Sequence, residues 1–282
     1  MIKWRGRSER TTLRDVTTAL PGPAHAAAGY FPRGSATRTV IADPAALIGG
    51  ISALFLQALH PRALAGVLQH SSFAQDFWPR LQRTAAYVST LAFADTATAD
   101  HAVARVRGMH RRVRGIDPVT GRPYSADDPD LLRWVHVTEV SSFSAAVRRL
   151  GLIDAAEEDR FLAEQVRAGA LLGATDLPAS RAEVDAYFAA VRPELMASPA
   201  ATRALAQLAI APLPLRVELL TPARPAWTAV AAVAIGLLPG WAKDLYGIPR
   251  LPGADTATTA GLAVIRAGLL TVRRIRGQEP PV

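Results

Sequence analysis

Residues 43–61 read DPAALIGGISALFLQALHP, and they contain the most apolar helix pattern discussed below. Asp43 can accept hydrogen bonds from the free N–H groups of a helix start, and Pro44 is tolerated in a first helical turn. The apolar residues that follow continue to His60, where Pro61 ends or kinks the helix. Because the segment is apolar on nearly all sides, it predicts a helix at the centre of the core.

The rest of the composition agrees with a helical protein. The chain has 282 residues, of which 50% are hydrophobic, so it is long enough to bury a sizeable core. Residues that favour strands are sparse, whereas Ala, Leu and Arg are abundant. We therefore predict an all-α fold, with a single multi-helix domain over residues 43–282. Residues 1–42 are predicted to form an irregular basic arm. Prolines and glycines interrupt this stretch, and it contains seven Lys or Arg but only two acidic residues.

Caps and breakers along the chain predict the remaining helices. Helices are predicted at about 79–93, 96–114, 129–150, 155–172 and 256–272. Two further helices are predicted to begin after Ser180 and at Ser198-Pro199, and residues 226–242 form an apolar segment. Residues 116–127 and 212–225 are predicted to be loops, because they are rich in proline and turn residues.

Charge and targeting signals narrow the class of protein. The formal net charge is +8, but no long basic run and no aromatic RNA-binding motif accompanies it, so we expect no nucleic-acid partner. The polar N-terminus lacks the apolar region of a signal peptide, which predicts a cytoplasmic protein. The 17 uncharged residues 226–242 are read as a buried core helix, and the basic arm leaves peripheral membrane contact open.

The absence of cysteine limits the metal chemistry that the chain can support. Thiolate-ligated haem, iron–sulfur clusters and covalent C-x-x-C-H haem attachment are all excluded. A bound metal would be held mainly by histidine, with carboxylate as the other choice. His60, His70, His110 and His136 lie between residues 60 and 136 and are the candidates.

One predicted helix places a histidine at the centre of an apolar face. At 100° per residue, Val103, Val106 and Val113 share an arc of about 80° with His110, and Arg107 lies at its edge. A buried guanidinium at that edge would need an anion, unless its stem packs while its head reaches water.

The next helix repeats the arrangement. His136 shares a face with Leu132 and Phe143, and Glu139 follows it by one turn. A satisfied core histidine remains the alternative for each position, but two such positions favour a ligand for a haem or another transition metal. The order His136-Val-Thr-Glu139 reverses the Glu-x-x-His motif of di-iron bundles and occurs once, so it does not favour such a site.

Five ordered motifs then suggest a family. They are LFLQALHP (54–61), GVLQHS (66–71), RGMHRRVRG (107–115), PYSADDPDLLRWVHVT (123–138) and LLPGWAKDLYG (237–247). As a set they resemble the MpaB-type oxygenase family, which also contains the latex clearing proteins, the rubber oxygenases. The resemblance covers about residues 40–250.

The resemblance implies a helical domain around non-covalent haem b. By motif order, His136 matches the proximal iron ligand, and Arg107 and His110 match a distal Arg and Lys spaced i, i+3. In this chain His110 stands where the family has the lysine. This difference argues against rubber as the substrate, and it leaves open the alternative that two histidines coordinate the iron, one on each side. His60, at the end of the central helix, is a further candidate for the cofactor site.

The first hypothesis is a haem b-dependent oxygenase-type oxidoreductase that uses O₂ or a peroxide on a small apolar substrate. In it His136 holds the iron, Arg107 stabilises charge on bound oxygen, and His110 moves a proton or gates the sixth position. The alternatives are a non-enzymatic bis-histidine haem or redox-sensing protein and a cofactor-free helical binding module. No oligomeric state is predicted.

Overall fold

The computed structural model describes residues 28–70, 73–210 and 223–277. Within these ranges the fold is all-α, as predicted, with one small antiparallel hairpin of strands β1 and β2. The helices are α1 Ala36–Ala42, α2 Pro44–Gln57, α3 Pro61–His70, α4 Phe73–Phe93, α5 Thr96–His110, α6 Pro129–Arg149, α7 Ala155–Leu172, α8 Arg181–Val191, α9 Pro199–Ile210, α10 Ala223–Gly236, α11 Gly240–Leu245 and α12 Ala254–Ile275. A 3-10 turn, Arg192–Glu194, follows α8.

Helices α2 and α6 form the centre of the domain. Most of α2 is buried, as its apolar sequence predicts. A Cβ atom at Gly49 would collide with the backbone carbonyl of Ser142, so the glycine allows the two helices to approach closely. Trp134 of α6 is fully buried and donates a hydrogen bond from Nε1 to the carbonyl of Gln57, 3.3 Å away.

The predicted caps lie at the ends of the helices. The side chains of Asp43, Asp128 and Asp154 each accept a hydrogen bond from a backbone N–H in the first turn of α2, α6 and α7. Helix α7 ends at Gly173, whose φ of 105° is readily adopted only by glycine. Because these caps act locally, the predicted boundaries of α6 and α7 agree closely with those in the structure.

The last part of the predicted arm is helical. Residues 36–42 form α1, because Ser35 caps its start and the Glu164 carboxylate of α7 accepts hydrogen bonds from the amides of Ala36 and Thr37, at 3.1 and 2.7 Å. The domain therefore begins before residue 43. Residues 1–27 of the arm lie outside the described residues.

Helix α4 begins at Phe73 rather than at Pro79, which lies inside the helix. The predicted start was wrong because aromatic packing offsets the cost of an internal proline. Phe77, Trp78 and Trp227 of α10 form a cluster with ring centroids 4.9 to 5.6 Å apart.

The predicted loop at 116–127 contains part of a hairpin instead. Strands β1 Arg114–Ile116 and β2 Pro123–Ser125 pair antiparallel, and α5 ends at His110, before its predicted end. Asp117 accepts hydrogen bonds from two amides within the connecting turn. Tyr124 is buried, and its hydroxyl donates to Gln69 of α3 at 2.7 Å, so contacts distant in sequence fix the strands.

The apolar segment 226–242 is divided between α10 and α11, which begins after Pro239. Of the loop predicted at 212–225, residues 211–222 lie outside the described residues, and α10 includes 223–225. In the described ranges no single helix is long and apolar enough to cross a membrane. Only the pair α1 and α2, bent by 83° at their junction, reaches that length and composition, and most of α2 is buried.

Candidate functional site

A cleft opens between helices α1, α4, α6 and α7. It contains about 410 Å³ of space, counted together with its opening to solvent. Its walls are mostly apolar. The lining residues are Phe31, Thr37, Ile41, Tyr87, Val88, Leu91, Ala92, His136, Glu139, Val140, Phe143, Gln165, Ala168 and Leu172.

His136 lies in this cleft as a neutral imidazole. Burial lowers its pKa to about 4, and a hydrogen bond to the backbone of Gln165 opposes that shift. A backbone group that favours the protonated ring is the carbonyl, so one ring nitrogen donates to the Gln165 oxygen. The other nitrogen then carries a lone pair and has no partner among the described residues, which is the state that a metal ligand requires.

Helix α7 shapes the position of the imidazole. A Cβ atom at Gly169 would lie 2.9 Å from Cδ2 and 3.0 Å from Cγ of His136, and 2.6 Å from Cδ1 of Leu177. The His136 ring therefore occupies space that the side chain of any residue larger than glycine at position 169 would fill. The Gln165 side chain is held in turn by Thr37 of α1, whose hydroxyl accepts from Nε2 at 3.0 Å.

Glu139 and Tyr87 are the unsatisfied polar groups of the cleft. No described residue donates a hydrogen bond to the Glu139 carboxyl or forms an ion pair with it, and burial raises its pKa to about 7. The Tyr87 hydroxyl is buried without a partner. Burial raises the pKa of Tyr87, and the nearby Glu139 carboxyl raises it further.

Arg107 and His110 lie at the far end of α5 from the cleft. The cleft lining in the described part of the chain includes neither residue. Val103 packs beside the cleft with Phe31, and His110 lies about 10 Å further along the helix axis. His110 is half-buried, its Nδ1 has no partner, and burial lowers its pKa while Asp127 opposes that shift.

Arg107 is exposed rather than at the edge of a buried face. Within residues 28–70, 73–210 and 223–277 it has no hydrogen bond or ion pair to a carboxylate. Of the two arrangements predicted for Arg107, an anion partner or a guanidinium that reaches water, the structure has the second.

His60 lies in a second pocket on the other side of Trp134. We call it the polar pocket, and it is lined by His60, Pro61, Arg62, Thr120, Arg122, Pro193, Glu194 and Met196. His60 is 4% exposed, its ring centroid lies 5.8 Å from that of Trp134, and Nε2 is 4.0 Å from Glu194 Oε2. Burial, reinforced by Arg62, lowers the pKa of His60 to about 4. The structure therefore does not bring His60 to the cleft. His70 does not line the cleft either, and its Nε2 donates a hydrogen bond to the backbone oxygen of Arg114.

The sequence placed His136 and Glu139 on one face of α6, but it made no prediction for three residues that complete the cleft. Tyr87 lies on α4, and Gln165 is a polar residue on the buried side of α7. Gly169 carried a usable signal, because glycine inside a helix often marks a close approach.

The fold and the cleft define a class of protein: an all-helical domain with one neutral histidine in a largely apolar cleft. Across the described residues no cluster of three or more His, Cys, Asp or Glu could hold a bare metal ion. A family model described as "ER-bound oxygenase mpaB/B'/Rubber oxygenase, catalytic domain" matches residues 38–269, most of the chain. The chain belongs to this oxygenase family, and its expected class of enzyme is thereby confirmed. No curated protein and no solved structure matches it.

Proposed function

We propose that the protein is a haem b-dependent oxygenase that acts on a substrate with a large apolar part, using O₂ or a peroxide. The observation that carries the proposal is His136: a neutral imidazole, oriented by the Gln165 carbonyl, with its second nitrogen unpaired in an apolar cleft. Family membership supports the oxygenase class.

The donor set of the cleft fits haem better than a bare ion. A protein can hold haem iron through a single histidine, whereas a bare ion needs several protein ligands. The described residues offer one imidazole in the cleft and no cluster of three metal-binding side chains. His136 would hold the iron, and the carbonyl of Gln165 would set the orientation and tautomer of the ring.

Haem, when bound, supplies the oxygen and electron chemistry. The protein side chains determine what surrounds it. The apolar walls exclude water, and Gly169 leaves the space in which the His136 ring lies. A distal role for Arg107 and His110 is proposed from their motif alone, since both lie away from the cleft.

A visible spectrum of the purified full-length protein tests the proposal. We expect a Soret band after expression with a haem supply, a pyridine haemochrome typical of haem b, and CO binding to the ferrous form. An intense low-spin spectrum that CO does not change would indicate the bis-histidine alternative. A chain without a Soret band after reconstitution would overturn the haem proposal.

A further inference from the structure

The surface at the end of α5 and on the hairpin is strongly basic. Residues 101–122 contain six arginines and one acidic residue, whereas the whole chain has 32 basic and 24 acidic residues. All six arginines are exposed. We call this surface the basic patch, and its arginines are Arg105, Arg107, Arg111, Arg112, Arg114 and Arg122.

Most of the positive charge of the basic patch is not neutralised within the protein. Among the described residues, the four arginines on α5 and in the turn after it form no ion pair with a carboxylate. Arg114 and Arg122 each have one carboxylate partner, at 3.5 and 3.6 Å. Asp117, the one acid of the segment, is buried and accepts hydrogen bonds within the hairpin turn. The patch therefore presents an excess of positive charge to a partner.

Three apolar side chains are exposed among these arginines. They are Met109 near the end of α5, Ile116 on β1 and Val119 in the hairpin turn. Ile116 is the most exposed of the three, at 64%. Such side chains leave water when a partner covers them, so they add an apolar contribution to the electrostatic one.

Contacts with α3 turn one face of the hairpin toward solvent. The backbone oxygen of Ile116 accepts a hydrogen bond from Gln69 Nε2 of α3 at 2.8 Å. A Cβ atom at Gly115 would lie 2.6 Å from Oε1 of Gln69, so this residue points toward α3. Because successive strand residues point to opposite faces, Arg114 and Ile116 share the outer face. Their orientation is set by the fold and needs no rearrangement.

The combination of arginines and exposed aliphatic side chains matches the interface of an anionic bilayer. Arginines near such a surface are attracted by the headgroups, and aliphatic side chains gain free energy at the boundary with the acyl chains. A nucleic acid is a poorer match, because its bases stack on aromatic side chains. Residues 101–122 contain no Phe, Trp or Tyr.

We propose that the basic patch docks the protein on the surface of a membrane that contains anionic lipids. Its arginines lie at the headgroups, and Met109, Ile116 and Val119 insert just below them. The inference goes beyond the proposed function and does not depend on haem, because none of the residues that line the cleft belongs to the patch. Docking places the protein beside the lipid phase, in which apolar molecules concentrate.

A fluorescent label at position 116 tests the orientation of the docked protein. The chain has no cysteine, so Ile116→Cys provides a single site for an environment-sensitive fluorophore. We expect a blue shift and brighter emission with mixed phosphatidylcholine and phosphatidylglycerol vesicles, and no change with phosphatidylcholine alone. Val264→Cys is the matched control, because Val264 is a 72% exposed apolar residue on α12. No change at position 116, or an equal change at both positions, would overturn the inference.

Cosedimentation of the full-length protein with the mixed vesicles measures the contribution of the charges. Arg105→Gln/Arg112→Gln should weaken binding about tenfold or more, since each arginine near the surface contributes about fivefold. The matched control is Arg160→Gln/Arg203→Gln, which removes the same charge from exposed positions on α7 and α9 and should change binding less than about twofold. Equal losses in the two double variants would show a response to net charge alone and would overturn the inference.

A short DNA duplex serves as the competing partner at the same salt concentration. We expect it to bind more weakly than the mixed vesicles. If the duplex binds more tightly, and if Arg105→Gln/Arg112→Gln abolishes that binding, the patch is a nucleic-acid surface and the membrane inference is wrong.

Discussion

The cleft and the polar pocket each contain a buried histidine whose pKa is lowered to about 4, but the two regions treat their other polar groups differently. In the polar pocket the charges are paired, although His60 Nδ1 and Arg62 Nε are buried without a hydrogen-bond partner among the described residues. Arg62 lies 3.3 Å from Asp128 and 3.5 Å from Glu194, and Arg122 lies 3.6 Å from the same Glu194 oxygen. In the cleft the Tyr87 hydroxyl is buried without a partner, and no described residue forms an ion pair with the Glu139 carboxyl.

The ion pairs set the two regions apart, because only the polar pocket contains a carboxylate that bridges arginines from different elements. Opposite charges that neutralise one another within the chain hold α3, the hairpin turn and the 3-10 turn together without a ligand. Unpaired groups in an apolar cleft cost stability in the absence of a partner, and a ligand that pairs with them recovers that cost.

The largest expected effects come from exchanging the two histidines for alanine. His136→Ala should lower haem content at least tenfold, with the fold retained. His60→Ala should keep haem but lower the free energy of unfolding by about 2–4 kcal/mol, because the ring is buried against Trp134. Haem per chain and chemical denaturation measure the two effects. A full Soret band in His136→Ala would show that another residue holds the iron.

Glu139→Gln should change the dependence of stability on pH. The pKa of Glu139 is raised from 4.5 to about 7 in the folded protein. Its contribution is therefore fully present below pH 4.5 and is lost as the pH rises to 7. Relative to wild type, the variant should gain about 2 kcal/mol between pH 4.5 and 8, a value reduced for the opening of the cleft.

Denaturation of haem-free wild type and Glu139→Gln at several pH values measures this gain. The pKa values of His60 and His136 are lowered, so the contribution of each histidine to the stability of the protein is lost as the pH falls from 6.5 to 4. Both histidines are present in both proteins, and their contribution cancels in the difference. A difference that stays constant with pH would show that Glu139 is not buried as an unpaired acid.

Gly169→Ala tests the space beside the imidazole. The added methyl group would overlap His136 and Leu177 and should cost about 1–2 kcal/mol, partly offset by the higher helix propensity of alanine. It should also weaken haem retention, because the ring must move. Gly268→Ala is the control, since a Cβ atom there meets nothing within 4 Å. It should be neutral or stabilising by up to about 1 kcal/mol. Equal behaviour of the two variants would contradict the packing argument.

Arg107→Lys should have the smallest effect on stability and on haem content. Arg107 is exposed, so we expect a change in unfolding free energy below about 0.5 kcal/mol and unchanged haem content. Turnover and haem content measured on one preparation test its proposed role. A large loss of turnover at full haem content would show that the last turn of α5 reaches the cleft during the reaction.

The sequence predicted the elements whose signals are local. Asp128-Pro129 and Asp154 marked the starts of α6 and α7, and Gly173 marked an end, because caps act within one turn of the residue that provides them. Ser180, after which a helix was predicted to begin, forms half of a capping box at the start of α8. Ser180 accepts from the Glu183 amide, but the Glu183 side chain bonds to Ala179.

Predictions failed where distant contacts override local preferences. Pro79 lies inside α4 because Phe77 and Trp78 pack on Trp227, far along the chain. Likewise, the hairpin needs Gln69 of α3 to bond Tyr124.

Four features could be predicted without the structure: the helical class, the central position of α2, the family motifs, and the placement of His136 and Glu139 on one face of α6. These follow from periodicity and composition, which are properties of neighbouring residues. Only the tertiary structure decided that Gln165 orients His136, that Gly169 makes room for it, and that Tyr87 faces the same cleft. It also separated His60, Arg107 and His110 from that cleft. The physical reason is that distances between helices depend on how their side chains pack, and a helical pattern specifies which face is buried but not which partner covers it.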